Sequence, residues 1–143
     1  MVKFMRQPTL QTLGLGNVHD IFRQGCLPAT ASELVDRVFG SPDNRGSLVI
    51  SGMNGIVGAG KAMQLGSRLE PFGVTIVGLD FPGAADGIGR QYQGLRQAFG
   101  EDGADRIMGR IVRLAYDGKH LPATLHELKP RFLLEAIPEI LPV

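Results

Sequence analysis

Residues 46–80 read GSLVISGMNGIVGAGKAMQLGSRLEPFGVTIVGLD and decide the fold class of this chain. The apolar run Leu48-Val49-Ile50 lies between glycines, which is typical of a strand buried on both faces. In 62–72 the apolar residues recur at steps of three and four, which predicts a helix. The run 74–80 is apolar again and predicts a second strand, which ends in the acid Asp80. Strand, glycine turn, helix and strand together predict a βαβ unit with parallel strands and a right-handed crossover.

The glycines before the helix predict a phosphate-binding turn. Glycine permits positive φ and close backbone approach, and the first amides of a helix carry partial positive charge. Gly58-Ala59-Gly60 supplies a G-x-G pattern, and Asp80 follows Gly60 by twenty residues. A carboxylate there can bind the hydroxyls of an adenosine ribose and repel a 2′-phosphate, so the predicted cofactor is NAD rather than NADP. The predicted cofactor-binding residues around this turn are Gly58, Ala59, Gly60, Lys61, Ala62, Met63 and Asp80.

The rest of the chain predicts further helices and a third strand. The predicted helices cover 30–39, 90–100, 104–114 and 120–129, the last with Leu121, Leu125 and Leu128 facing inward. Residues 131–137 predict the third strand. The predicted fold class is therefore α/β: a Rossmann-like open, mainly parallel sheet with flanking helices. Residues 1–46 are interpreted as an N-terminal extension with one short helix, and 47–143 as an incomplete dinucleotide-binding domain.

Two separated segments resemble the NAD-binding domain of the 3-hydroxyacyl-CoA dehydrogenase family. The first combines Ile56-Val57-Gly58-Ala59-Gly60 with the strand 73–80, and the second is Leu133-Leu134-Glu135-Ala136-Ile137-Pro138-Glu139. The resemblance implies that Gly58 and Gly60 lie at the pyrophosphate and Asp80 at the adenosine ribose. It also implies that Ala136 and Glu139 lie near the nicotinamide ribose, with Ile137 between them as a further cofactor-binding residue.

This resemblance implies hydride transfer between NAD and a hydroxy or keto substrate, with a 3-hydroxyacyl-CoA as the expected substrate. The family's catalytic residues would follow Val143, so no catalytic residue is assigned within this chain. The expected small-molecule partner is an acyl thioester or an alcohol.

Two other interpretations remain open. The stretch 51–58, SGMNGIVG, resembles the G-x-x-G-x-x-G turn of the extended short-chain dehydrogenases and lies directly behind Leu48-Val49-Ile50. It predicts a turn that begins at Gly52. Tyr92 and Tyr116 are not followed by lysine four residues on, so the Tyr-x-x-x-Lys pair of that class is not seen and this reading ranks second. The third interpretation is a nucleotide-binding module without catalysis.

Composition argues against several other classes of function. The chain has 15 Lys and Arg in 143 residues, a net charge of +1 and 6% aromatic residues, with no basic run, so a nucleic-acid partner is not expected. No apolar stretch is long enough for a bilayer and no secretory signal is visible, which favours a cytoplasmic protein. The lone Cys26 fits a reducing compartment. His19, His120 and His126 are expected on the surface or in loops, and no metal site is predicted.

The predicted sheet has a consequence for assembly. A sheet of three or four strands would leave an unpaired edge, and the apolar tail 137–143 would lack cover. We therefore expect the chain to form a homo-oligomer or to dock onto a missing catalytic domain.

Overall fold

The computed structural model describes residues 29–137, which form eight regular helices and strands. The compact unit that contains the sheet begins at Val35, so the end of the first helix belongs to it rather than to the predicted extension. Short 3₁₀ turns occupy Pro42–Asn44, Glu70–Phe72 and Gly89–Gln91. In chain order the elements are α1 (Ala31–Phe39), β1 (Ser47–Ser51), α2 (Ile56–Leu69), β2 (Thr75–Asp80), α3 (Tyr92–Gly109), β3 (Ile111–Ala115), α4 (Thr124–Glu127) and β4 (Pro130–Glu135).

The four strands form one parallel sheet in the order β3-β2-β1-β4. From β1 the chain moves outward through β2 to β3 and then returns to place β4 on the other side of β1. The order of strands therefore reverses between β1 and β4, at the position where open α/β sheets bind ligands. This topology confirms the predicted α/β, Rossmann-like fold with a parallel sheet and flanking helices.

Strands β1 and β2 are central because they are apolar on both faces. On one face Leu48, Ile50 and Ile76 pack with Ala59 and Ala62 of α2, and all five are at least 97% buried. On the other face a smaller cluster packs against the short helix α4. Its buried members are Val49, Val77, Leu79 and Leu125.

Helix α2 begins at Ile56, six residues before the predicted start. Gly55 is its N-cap in an extended conformation, and the N–H of Ala59 donates the first hydrogen bond of the helix to the Gly55 carbonyl at 2.8 Å. The low helix propensity of glycine argues for a loop over 58–60, but close packing of the helix on the β1 turn overrides it. At the other end, the predicted stop is confirmed by a 3₁₀ turn that contains Pro71 and by Gly73 at φ +72°.

The region after α3 differs from the prediction of a helix over 104–114. Helix α3 ends at Gly109, and Ile111–Ala115 is strand β3. The N–H of Ile76 donates to the Arg110 carbonyl at 2.9 Å. The residues after Arg110 therefore pair with β2 as a strand and do not continue the helix. Ile111 and Val112 suit a helical apolar face by spacing, but their β-branched side chains also favour a strand. The predicted helical break before 104 corresponds to Gly100, whose φ of +73° interrupts α3.

The C-terminal part of the described chain is less buried than predicted. Helix α4 covers only Thr124–Glu127, and Leu121, expected to face inward, is 63% exposed. The predicted third strand is β4, an outer strand on which Glu135 is exposed. Among residues 29–137 no helix combines the length and the apolarity that a membrane span requires.

A methyl group at position 60 is expected to stabilise the protein. Gly60 lies inside α2, is exposed, and has no atom within 4 Å of the position that a Cβ would occupy. Because alanine loses less backbone entropy than glycine in a helix, Gly60→Ala should raise the free energy of unfolding by about 0.5–1 kcal/mol. Urea denaturation followed by circular dichroism measures this change, and a loss of stability would contradict the exposed helical position of Gly60.

Candidate functional site

A cleft of about 300 Å³ opens at the carboxyl ends of β1, β2 and β4, beside the point where the strand order reverses. Its wall comes from the ends of β1 and β2 and from the segments that follow all four strands. Clefts at this position are the usual ligand sites of open parallel sheets. The lining residues are Ser51, Gly52, Gly55, Leu79, Asp80, Phe81, Tyr116, Gly118 and Ile137.

Gly52 forms the tight turn that leaves β1. Its φ is +77°, a conformation that residues with a Cβ rarely adopt, and its N–H donates to the Leu79 carbonyl at 2.8 Å. A Cβ at this position would lie 3.0 Å from the carbonyl oxygen of Ala136. Gly52 therefore allows the ends of β1, β2 and β4 to converge at one point.

Gly55 places the start of α2 at the edge of the cleft. Ile56 and Val57 precede the first hydrogen bond of the helix, so their amides belong to the group that has no partner within the helix. Gly55 provides no side-chain cap for them. Ile56 is 95% exposed and Val57 is 63% exposed. The helix start therefore lies at the protein surface, and its unpaired amides carry partial positive charge.

Gly58 allows α2 to approach the turn closely. A Cβ on Gly58 would overlap the carbonyl oxygen of Gly52 and lie 2.8 Å from the Cα of Met53. Gly52, Gly55 and Gly58 therefore provide a tight turn, a helix start without a side chain, and close packing of α2 on the turn.

The predicted turn at 58–60 is wrong in register. Gly58, Ala59 and Gly60 all lie within α2, and the turn is 52–55, directly behind β1. The pattern that could have located it is the spacing of Gly52, Gly55 and Gly58, which the alternative alignment used. The start of the turn at Gly52 agrees with that alignment.

The other residues predicted around the turn lie further along α2. Lys61 is exposed and reaches Gln64 at 3.4 Å, so it points along the helix surface. Ala62 is fully buried in the core. Met63 packs beside the core of α3, which contains Leu95 and Ile107, and does not separate α2 from the sheet. None of these three residues lines the cleft.

Asp80 lies where it was predicted, at the end of β2, and it contacts the turn directly. One carboxylate oxygen accepts the N–H of Asn54 at 2.8 Å, and the other accepts the N–H of Phe81 at 3.0 Å. An ionised carboxylate has about four lone-pair sites, so it can accept further hydrogen bonds from the cleft. Asp80 thus joins the glycine turn to the adjacent strand and lines the cleft.

The loop after β2 covers the outer side of the turn. A Cβ on Gly87 would overlap the carbonyl oxygen of Asn54, and Ile88 is fully buried in the core. Asp86 in the same loop forms an ion pair with Arg113 of β3 at 3.1 Å. These contacts anchor the loop beside Asp80.

The C-terminal site residues fall on both sides of the described boundary. The N–H of Ala136 donates to the Ser51 carbonyl at 2.9 Å, and Ile137 lines the cleft. Ala136 and Ile137 therefore lie next to Gly52. Glu139 lies outside the described residues, as do Cys26 and His19.

The two described histidines are exposed, as predicted. His120 belongs to a turn organised by Asp117, whose carboxylate accepts the N–H groups of Lys119 and His120 at 2.8 Å each. These hydrogen bonds, first that from His120, hold the pKa of Asp117 below its usual range. Gly118 of this turn lines the cleft.

Comparison with known proteins finds no match to a family model, to a curated protein or to a solved structure. The fold assignment therefore rests on the strand order and register described above. The resemblance to the 3-hydroxyacyl-CoA dehydrogenases remains a proposal.

Proposed function

We propose that this chain binds NAD at the carboxyl ends of β1, β2 and β4 and forms the dinucleotide-binding part of an oxidoreductase. The observation that carries the proposal is the turn with Gly52, Gly55 and Gly58, which joins the central strand β1 to α2. Turns of this kind at the switch point of a parallel sheet commonly bind a pyrophosphate.

The proposal assigns each part of the cofactor to residues at or beside the cleft. The amides of Ile56 and Val57 at the start of α2 would receive the pyrophosphate, since Gly55 leaves room for it. Asp80 would accept the hydroxyls of the adenosine ribose and disfavour a 2′-phosphate. Ser51 and Ile137, at the ends of β1 and β4, would border the nicotinamide half.

Bound NAD would supply a hydride acceptor or donor, and the chain's own residues would bind and orient it. The proposed substrate is a hydroxy or keto compound. The proposal of a 3-hydroxyacyl-CoA rests on the segment 133–139, since residues 56–60, which carried the other half of the resemblance, lie within α2. The groups that move the substrate proton are not assigned in this chain. The proposed partners are therefore the acyl thioester or alcohol and the protein region that contributes the catalytic groups.

A short-chain dehydrogenase-like oxidoreductase is the second candidate. It is favoured by the start of the turn at Gly52 directly behind β1, which this reading predicts. Both candidates use the same cofactor site. A nucleotide-binding module without catalysis would bind NAD through the same residues, and an assay for NADH formation with hydroxyacyl-CoA and simple alcohols separates it from the two enzymes.

Calorimetric titration of NAD tests the site with a matched pair of variants. Gly55→Val places a side chain where the pyrophosphate would approach, and a Cβ there meets only an ordinary contact at 3.4 Å. Gly60→Val adds the same group to the open side of α2. We expect Gly55→Val to weaken NAD binding by about tenfold or more, through loss of charge-assisted hydrogen bonds. Gly60→Val should leave the affinity unchanged.

Circular dichroism shows whether both variants are folded. Equal affinities of the folded Gly55→Val and Gly60→Val proteins would contradict the assigned turn. A folded parent protein that binds neither NAD nor NADP would contradict the proposed function.

A further inference from the structure

One face of the sheet is only partly covered by helices. Helices α1, α2 and α3 all contribute side chains to the core cluster on the face that packs against α2. Among residues 29–137 the cluster on the opposite face receives a helix only from α4, which has four residues. A groove of about 440 Å³ remains open on this opposite face beside β4. Its volume lies within the range of small-molecule sites.

The groove follows β4 over its length. Every residue of β4 except Leu134 lines it, and the six residues of the strand extend over about 16 Å. Leu134 packs in the cluster on the face of α2. Leu121 and Leu133 are each 63% exposed, and both line the groove. An elongated groove with apolar walls accommodates an unbranched aliphatic chain better than a compact polar molecule.

The groove joins the cleft assigned to the cofactor. Ser51, Leu79 and Tyr116 line both cavities. Ser51 is the last residue of β1 and pairs with Glu135, so polar groups lie at the end where the two cavities meet. Arg131 lines the groove near the start of β4, and the part between Arg131 and Glu135 is apolar. A molecule in the groove can therefore extend its polar end toward the proposed nicotinamide site.

We propose that this groove binds the unbranched aliphatic chain of the substrate, with the hydroxyl or keto group of the substrate beside Ser51. This assignment rests on the proposed function and narrows its substrate to hydroxy or keto compounds with a long aliphatic chain, as opposed to sugars and short hydroxy acids. The carboxylate of Glu135 disfavours a second negative charge at that end of the groove, so the reacting group is uncharged. Removal of each methylene from water favours binding.

Titration with straight-chain alcohols from 1-butanol to 1-decanol tests the groove in the 143-residue chain without NAD. Methyl NMR spectra of leucine and valine report both the affinity and the place of binding. We expect the dissociation constant to fall about fourfold for each added methylene until the groove is filled. The largest shifts should come from the methyl groups of Leu121, Leu125 and Leu133.

Leu133→Glu places a charge in the groove, and Phe99→Glu is the matched control. Both side chains are large, apolar and more than half exposed, so both variants should fold. Phe99 lines a separate depression between α2 and α3. We expect Leu133→Glu to weaken the binding of 1-octanol by about tenfold or more, and Phe99→Glu to leave it unchanged. Leu121→Glu, in the segment before α4, repeats the test outside the sheet and should also weaken binding.

A parallel titration with NAD separates failure of the groove from failure of the cofactor site. A parent chain that binds NAD but has equal affinity for short and long alcohols would overturn the groove assignment, as expected if another segment or a partner protein covers the groove. Methyl shifts confined to residues outside the groove, or unchanged octanol affinity in both Leu133→Glu and Leu121→Glu, would overturn it as well. Chain-length dependence with shifts in the groove, in a protein that does not bind NAD, would support the groove and contradict the proposed function.

Discussion

Gly58→Ala is expected to cause the largest loss of stability of any single methyl group added to the glycine turn or to α2. The added Cβ would overlap the carbonyl oxygen of Gly52, a backbone atom that cannot rotate away. Gly52 is itself held by its hydrogen bond to Leu79 and by its close approach to Ala136. Relief of the overlap therefore requires α2 to move from the sheet, at a cost of about 3 kcal/mol or more.

Urea denaturation of Gly58→Ala and Gly60→Ala compares the two positions directly. Both glycines lie in α2 and both variants gain the helix propensity of alanine, so the difference between them measures the contact with the turn. We expect Gly58→Ala to be strongly destabilised and Gly60→Ala to be stabilised. Similar stabilities of the two variants would contradict the close packing at Gly58.

Asp80→Asn is expected to weaken NAD binding by about tenfold or more and to abolish the preference for NAD over NADP. The change removes the negative charge but keeps an oxygen that can accept the Asn54 N–H, so the turn should persist. A hydrogen bond to a charged acceptor contributes about 1.5–3 kcal/mol, which sets the size of the loss. NADP should gain relative to NAD because its 2′-phosphate is no longer repelled.

Calorimetric titrations of both cofactors into the parent, Asp80→Asn and Asp80→Ala proteins check this expectation. Asp80→Ala also loses the acceptor for Asn54, so it should have a lower melting temperature than Asp80→Asn. An unchanged cofactor preference in Asp80→Asn would show that Asp80 stabilises the turn but does not contact the adenosine ribose. Equal melting temperatures of the two variants would show that the bond to Asn54 does not support the turn.

Local patterns in the sequence predict the parts of the fold that depend on neighbours along the chain. Thr30 and Glu33 form reciprocal hydrogen bonds at the start of α1: the N–H of Thr30 donates to the Glu33 carboxylate at 2.7 Å, and the N–H of Glu33 donates to the Thr30 hydroxyl at 3.2 Å. Prediction of a capped helix near 30 needs only the spacing of these residue types. The stop of α2 near Pro71 and Gly73 is local in the same way.

Prediction failed where two conformations suit the same residues. Ile111 and Val112 continue a helical apolar spacing from Ile107, yet they also suit a strand. Whether these two residues form a helix or a strand depends on the free edge of β2, which lies more than thirty residues earlier in the chain. No local pattern contains that information.

The sequence by itself determined the apolar runs of β1 and β2, the glycine-rich connection between them and the acid at the end of β2, because these depend on composition and spacing. Only the tertiary structure decided which glycines form the turn. Gly52, Gly58 and Gly60 are equivalent as residues, and they differ in what surrounds the missing Cβ: Ala136 for Gly52, the Gly52 carbonyl for Gly58, and open space for Gly60. These neighbours come from contacts between segments that are distant in the sequence, so the position of the turn is determined by packing.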